Sequence, residues 1–137
     1  MRAVLDVNVL VAAILSPTGS PATVLRRWLE GAYDLVVSPK LLEELERTLG
    51  YSKIRERVTS EDAGELIELL RRNAEVRNDP TNEPPVRSDD PDDDYLISLA
   101  VDARAVLVSG DRHLLDLSDE FPIYAPARFI ALMDSDR

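Results

Sequence analysis

Acids are the side chains in this sequence best placed to do chemistry, and four segments carry them. Asp6 stands at the end of the apolar run 4–7. Asp111 follows the run 105–109 after a single glycine, Gly110. Asp93 leads a helical stripe of Leu96, Ile97 and Ala100, spaced i+3, i+4 and i+7. An aspartate heading a buried stripe points to the edge of the core and not into solvent. The segment 38–49 adds Glu44 and Glu46, both bordering the stripe Leu41, Leu42, Leu45 and Leu49. Periodicity leaves these two open. Each acid alone has an ordinary reading: a turn residue after Gly110, an N-cap at Asp93, a surface pair between Glu44 and Lys40. Together they are harder to dismiss, because carboxylates converging on one edge repel unless a cation sits among them. With one His and no Cys, an oxygen-only donor set suits Mg²⁺ or Mn²⁺.

The elements that must position these acids alternate. Residues 4–7, 35–37, 105–109 and 122–124 read as short buried strands, with 74–76 a weaker one. Helices are expected over 9–15, 22–32, 38–49, 60–73, 93–103 and 127–133, with a short turn at 114–115. Val24, Leu25, Trp28 and Leu29 form one side of the second helix. Ser38-Pro39 gives an N-cap and a first-turn proline, and Gly50 closes that helix. Four prolines make 78–92 a loop. Apolar strands joined by helical crossovers imply an α/β fold, a parallel sheet covered on both faces. Such sheets bind ligands beyond the carboxyl ends of their strands. That edge is where Asp6 and Asp111 fall and where the helix after Ser38 begins.

The chain of 137 residues, 45% apolar, is long enough for one domain with its own core, spanning 1–137. The absence of cysteine excludes a disulfide scaffold and suits a reducing cytoplasm. The opening residues do not read as a signal peptide, and no run reaches the length of a membrane span. A net charge of −10 argues, as a sum, against nucleic acid. Its distribution argues less strongly. Seven acids and one base lie within 79–94, whereas 40–57 holds five bases against four acids. The concentrated acid would be masked by bound divalent metal, and a mildly basic surface remains.

The sequence resembles the PIN-domain family, the fold of many toxin ribonucleases of bacterial and archaeal toxin–antitoxin modules. Four segments in order carry the likeness: VLDVNVLV from Val4, SPKLLEEL from Ser38, DPDDDYLISLA from Asp90 and LVSGD from Leu107. The resemblance selects Glu44 over Glu46. It implies a three-layer α/β/α sandwich with a mostly parallel central sheet. It also implies Mg²⁺- or Mn²⁺-dependent cleavage of RNA by Asp6, Glu44, Asp93 and Asp111. In this reading Asp6, Asp93 and Asp111 carry the metal, and Glu44 completes the set directly or through water. Asn8 is placed to orient a ligand or meet substrate, Ser109 to fix a ligand by a hydrogen bond, and Arg112 to hold a phosphate; Asp90 joins or replaces Asp93. A small antitoxin would mask the cleft, and a homodimer is compatible with the likeness. The rival reading is a fold of the same kind kept as a protein-interaction module. A phosphoacceptor domain fits poorly, since Asp6 has no acidic neighbour and no lysine follows Lys53. An aspartate-nucleophile phosphohydrolase is weakened by Asn8, where an Asp-x-Asp pair would need an acid.

Overall fold

A computed structural model describes residues 1–135. Strand β1 (Arg2–Leu5) leads into α1 (Val7–Leu15) and α2 (Ser20–Leu29). Then come β2 (Asp34–Val37), α3 (Pro39–Leu49), the single turn α4 (Ser52–Arg55), α5 (Ser60–Asn73) and β3 (Glu75–Val76). A proline-rich loop and a 3₁₀ turn (Pro91–Asp93) precede α6 (Asp94–Ala103), followed by β4 (Val106–Val108), α7 (Arg112–Leu115), β5 (Ile123–Tyr124) and α8 (Pro126–Ser135).

The five strands form one sheet in the order β3-β2-β1-β4-β5, and every pair is parallel. Ala3, Val4, Leu5, Leu35, Val36, Val37, Leu107 and Val108 are buried. That is the residue choice of strands covered on both faces, and it gives the three-layer α/β/α sandwich. Helix α6 packs directly on β1 and β4, while α1, α2, α3, α5 and α8 pack on one another. Phe129 of α8 is fully buried, edge-on to the ring of Tyr33 with centroids 5.1 Å apart. The Tyr33 hydroxyl donates to the Val24 carbonyl at 2.9 Å, which lets a phenol sit in the core. Among the described residues no single helix is long and apolar enough to cross a membrane.

Several boundaries differ from expectation, each for a local reason. The first strand is Arg2–Leu5, not 4–7, because the Asp6 carboxylate accepts the Asn8 N–H and starts α1 at Val7. Helix α2 begins at Ser20 and stops at Leu29, short of residue 32, since Gly31 turns the chain with φ +84°. Leu29, expected on the packed side of that helix, is 54% exposed, whereas Trp28 is buried. Helix α3 starts as expected, with the Ser38 hydroxyl accepting the Leu41 N–H at 3.2 Å. Gly50 ends it in an ordinary right-handed conformation, φ −85°, so the stop does not use glycine's access to positive φ. Helix α4 was not expected.

Candidate metal centre

The order 3-2-1-4-5 reverses direction between β1 and β4, the crevice where parallel α/β sheets bind ligands. Asp6 follows β1 there. Its backbone N–H bonds the Val108 carbonyl of β4 at 2.9 Å, so the two strand ends are tied. Its side chain is only 5% exposed. One carboxylate oxygen accepts the Asn8 N–H at 3.3 Å and the other accepts the Ser109 hydroxyl at 2.8 Å. Burial raises the Asp6 pKa; the bonds from Ser109 and Asn8 oppose the rise, and the charges of Asp111 and Glu44 add to it.

Ser109, fully buried, joins two acids. Its oxygen donates to Asp6 and accepts the Asp111 N–H at 3.0 Å. Asp111 caps α7, with one carboxylate oxygen accepting the His113 N–H at 2.9 Å. Asp93 stands at the N-cap position of α6, yet its side chain makes no capping bond. Its carboxyl lies against that of Asp111 instead, close enough for the two to interact. The Asp93 pKa is pushed up to about 7 by burial first, then by the charge of Asp6, the contact with Asp111, and the charges of Asp90 and Asp111.

Glu44 is half-buried on α3, while Glu46 is exposed. Its Oε2 accepts the Tyr95 hydroxyl at 2.7 Å, and the Lys40 ammonium lies 4.4 Å above the Tyr95 ring. The imagined Lys40–Glu44 surface pair is thus replaced by two contacts to one tyrosine. Burial raises the Tyr95 pKa, and its bond to Glu44 adds to the rise, so the phenol stays a donor. Asp90 accepts the Asp92 N–H at 3.0 Å and caps the 3₁₀ turn, so it stands beside the cluster while Asp93 enters it. Asn8 is exposed and lines a cleft of about 290 Å³ with Asp111 and Gly110. Arg112 is exposed, without an ion pair among the described residues.

Two contributors escaped the reading of the sequence. Tyr95 shares its helix turn with Asp93, but nothing in its spacing announces a partner on α3. Asp94 is buried and accepts the Ser88 N–H at 2.9 Å and the Ser88 hydroxyl at 3.3 Å, pinning the loop that delivers Asp93. The signal for Asp94 was its place at the side of the apolar stripe that begins at Leu96.

The structure therefore brings Glu44, Asp93 and Asp111 within electrostatic reach of Asp6 from four separate segments. It does not present them as a closed cage: among the described residues no three acidic or imidazole groups surround one point. Their present partners bear on this, since Asp111 caps α7 and Glu44 is held by Tyr95. The donors themselves, carboxylates with a hydroxyl behind them and no sulfur, fit a hard divalent cation.

A PIN domain family model matches residues 2–113. The chain is 28% identical over 123 residues to an uncharacterized protein of Methanocaldococcus jannaschii, covering 88% of this chain and 77% of that one. Its fold is similar to that of PAE2754 from Pyrobaculum aerophilum, with a TM-score of 0.65 at 15% identity, over 98% of this chain and 89% of that one. It is also similar to VapBC2 from Rickettsia felis, solved bound to a DNA fragment from their promoter, with a TM-score of 0.58 at 19% identity, over 90% and 97%.

Proposed function

The chain belongs to the PIN domain family, whose members are generally metal-dependent nucleases, and on that premise we propose that it is a cytoplasmic ribonuclease using Mg²⁺ or Mn²⁺ to hydrolyse RNA phosphodiester bonds. One observation carries the reading. Asp93 stands at the N-cap of α6 without capping it, and its half-buried carboxyl is crowded by those of Asp6 and Asp111, which helps push its pKa up to about 7. Carboxyl groups crowded in this way gain most from a cation placed among them.

In this reading Asp6, Asp93 and Asp111 hold the ion, and Glu44 completes the set. The ion supplies charge neutralisation for the phosphate and acidifies a water. The chain's own groups do the rest. Ser109 ties the Asp6 carboxylate to the Asp111 backbone, and Asp6 and Ser109 are both buried. Tyr95 holds Glu44 at the rim. Asn8 and Arg112, both exposed beside Asp111, are the groups available to meet the RNA backbone.

The toxin-like resemblance extends the proposal to a small antitoxin that masks the acids with a cationic side chain. The Rickettsia felis neighbour, solved as VapBC2 on promoter DNA, is in keeping with work inside an assembly. The absence of a closed cage favours the second reading, an interaction module with little catalysis. Incubating purified chain with mixed RNA substrates separates the two. Cleavage with Mn²⁺ or Mg²⁺, stopped by EDTA and lost in Asp6→Asn and Asp111→Asn, supports the ribonuclease. Intact RNA with either ion, in a folded chain, overturns it.

A further inference from the structure

We propose that the groove between α1 and α4 seats the single-stranded RNA next to the acidic centre, with Tyr51 stacking on a base and Lys53 holding a phosphate. This rests on the ribonuclease reading and adds to it a substrate subsite. The groove measures about 570 Å³ and is lined by Asn8 and Val11 of α1, Thr48 of α3, and Tyr51, Lys53 and Ile54 around α4. Asn8 also lines the cleft that contains Asp111, and its N–H is bonded to Asp6, so the two hollows adjoin at Asn8, next to the acids. Val11 lies one turn further along α1, ~4.5 Å on. A strand passing the acids therefore enters the groove directly.

Tyr51 is 56% exposed, the most exposed of the large apolar side chains among the described residues. An aromatic ring left out of the core at the edge of a groove is what a nucleobase requires, and every base offers a face to it. The charge around it also fits. The chain carries −10 overall, and the guanidinium groups of Arg2, Arg27, Arg72, Arg77 and Arg87 are spent in ion pairs. Among the described residues Lys53 of the groove enters none, nor do Arg47, Arg55 and Arg57 near it in the chain, a freedom they share with cations elsewhere such as Arg71 and Arg104. Arg57 bonds the Leu15 carbonyl and Arg55 the Ser60 hydroxyl, neutral acceptors that orient the groups and leave the charge unmet. A flat ring beside the unpaired Lys53, in a hollow that shares Asn8 with the cleft of Asp111, matches the alternating base and phosphate of a single strand.

The test measures two things on the full chain: binding of a fluorescent single-stranded RNA in EDTA, and cleavage of the same RNA with Mn²⁺. Tyr51→Ala is expected to weaken binding about tenfold and raise KM alike. Tyr51→Phe is expected to restore both, because stacking uses the ring. Lys53→Gln should flatten the slope of log affinity against log salt by about 0.7. Arg71→Gln on α5, outside the groove, serves as the control that leaves the slope unchanged. Cleavage with unaltered affinity and slope in the groove variants overturns the subsite and leaves the ribonuclease standing. Tyr51-dependent binding without cleavage supports the subsite and counts against the ribonuclease. Loss of a co-purifying protein in Tyr51→Ala, with RNA binding intact, overturns the subsite in favour of a protein seat.

Discussion

Replacing Asp93 with Asn should change how the metal-free chain responds to pH. The Asp93 carboxyl has a folded pKa of about 7 against an ordinary 3.8. A group whose folded pKa is raised contributes stability that is fully present below the unfolded value. It loses that stability as pH rises through the folded value. At ~1.4 kcal/mol per pH unit the ceiling is about 4 kcal/mol. Asp93 is only part-buried, and solvent screening cuts this to about 1–2 kcal/mol. Roughly half of the window lies above pH 5.5, so wild type should lose about 1 kcal/mol between pH 5.5 and 8.5 that Asp93→Asn keeps. For a chain of this length that is a relative gain in Tm of about 3–5 °C for the variant. Circular dichroism melts in EDTA at the two pH values measure it. With Mn²⁺ the order should invert at pH 8.5, because an ion at about 100 times its Kd adds about 2.7 kcal/mol to wild type alone. A Tm difference independent of pH, or an Asn variant less stable at pH 8.5 in EDTA, refutes the electrostatic reasoning.

Other substitutions probe the positioning of the same acids. Ser109→Ala removes a donor to a buried carboxylate, and urea denaturation should report a loss of about 2 kcal/mol. Manganese affinity of that variant, followed by calorimetry, should fall about 10- to 100-fold. Tyr95→Phe frees Glu44 while keeping the ring under Lys40, so cleavage should drop severalfold with Tm little changed. Asp94→Ala leaves the Ser88 N–H without its acceptor, and hydrogen exchange should show the loop 78–92 opening more readily. Phe129→Ala should cost about 3–5 kcal/mol in chemical denaturation with the metal site untouched.

The acids that would meet were legible because of where they stand. Asp6 and Asp111 follow strands of a parallel sheet, and the rule for that topology puts both at one edge. Asp93 was legible through the stripe of Leu96, Ile97 and Ala100 behind it. Glu44 and Glu46 both border their stripe, so periodicity left them open and only the family resemblance favoured Glu44; the fold leaves Glu46 exposed and Glu44 against Tyr95. The Ser109 bridge depends on register, with Leu5 opposite Val108 across more than a hundred residues of chain. No local pattern encodes such a pairing. Helix α4 is four residues long, too short for a period to show. Leu29 was misplaced because an apolar side chain near a helix end fits the stripe whether or not a neighbour covers it.

The central claim is that these four acids hold a divalent ion by which the chain cuts RNA. The most direct measurement titrates Mn²⁺ into wild type and Asp111→Asn, following bound ion and the cleavage rate of one single-stranded RNA in the same samples. The account predicts that rate rises with site occupancy in wild type and that both collapse in the variant. Cleavage at full rate in EDTA, or undiminished Mn²⁺ binding in Asp111→Asn, contradicts it.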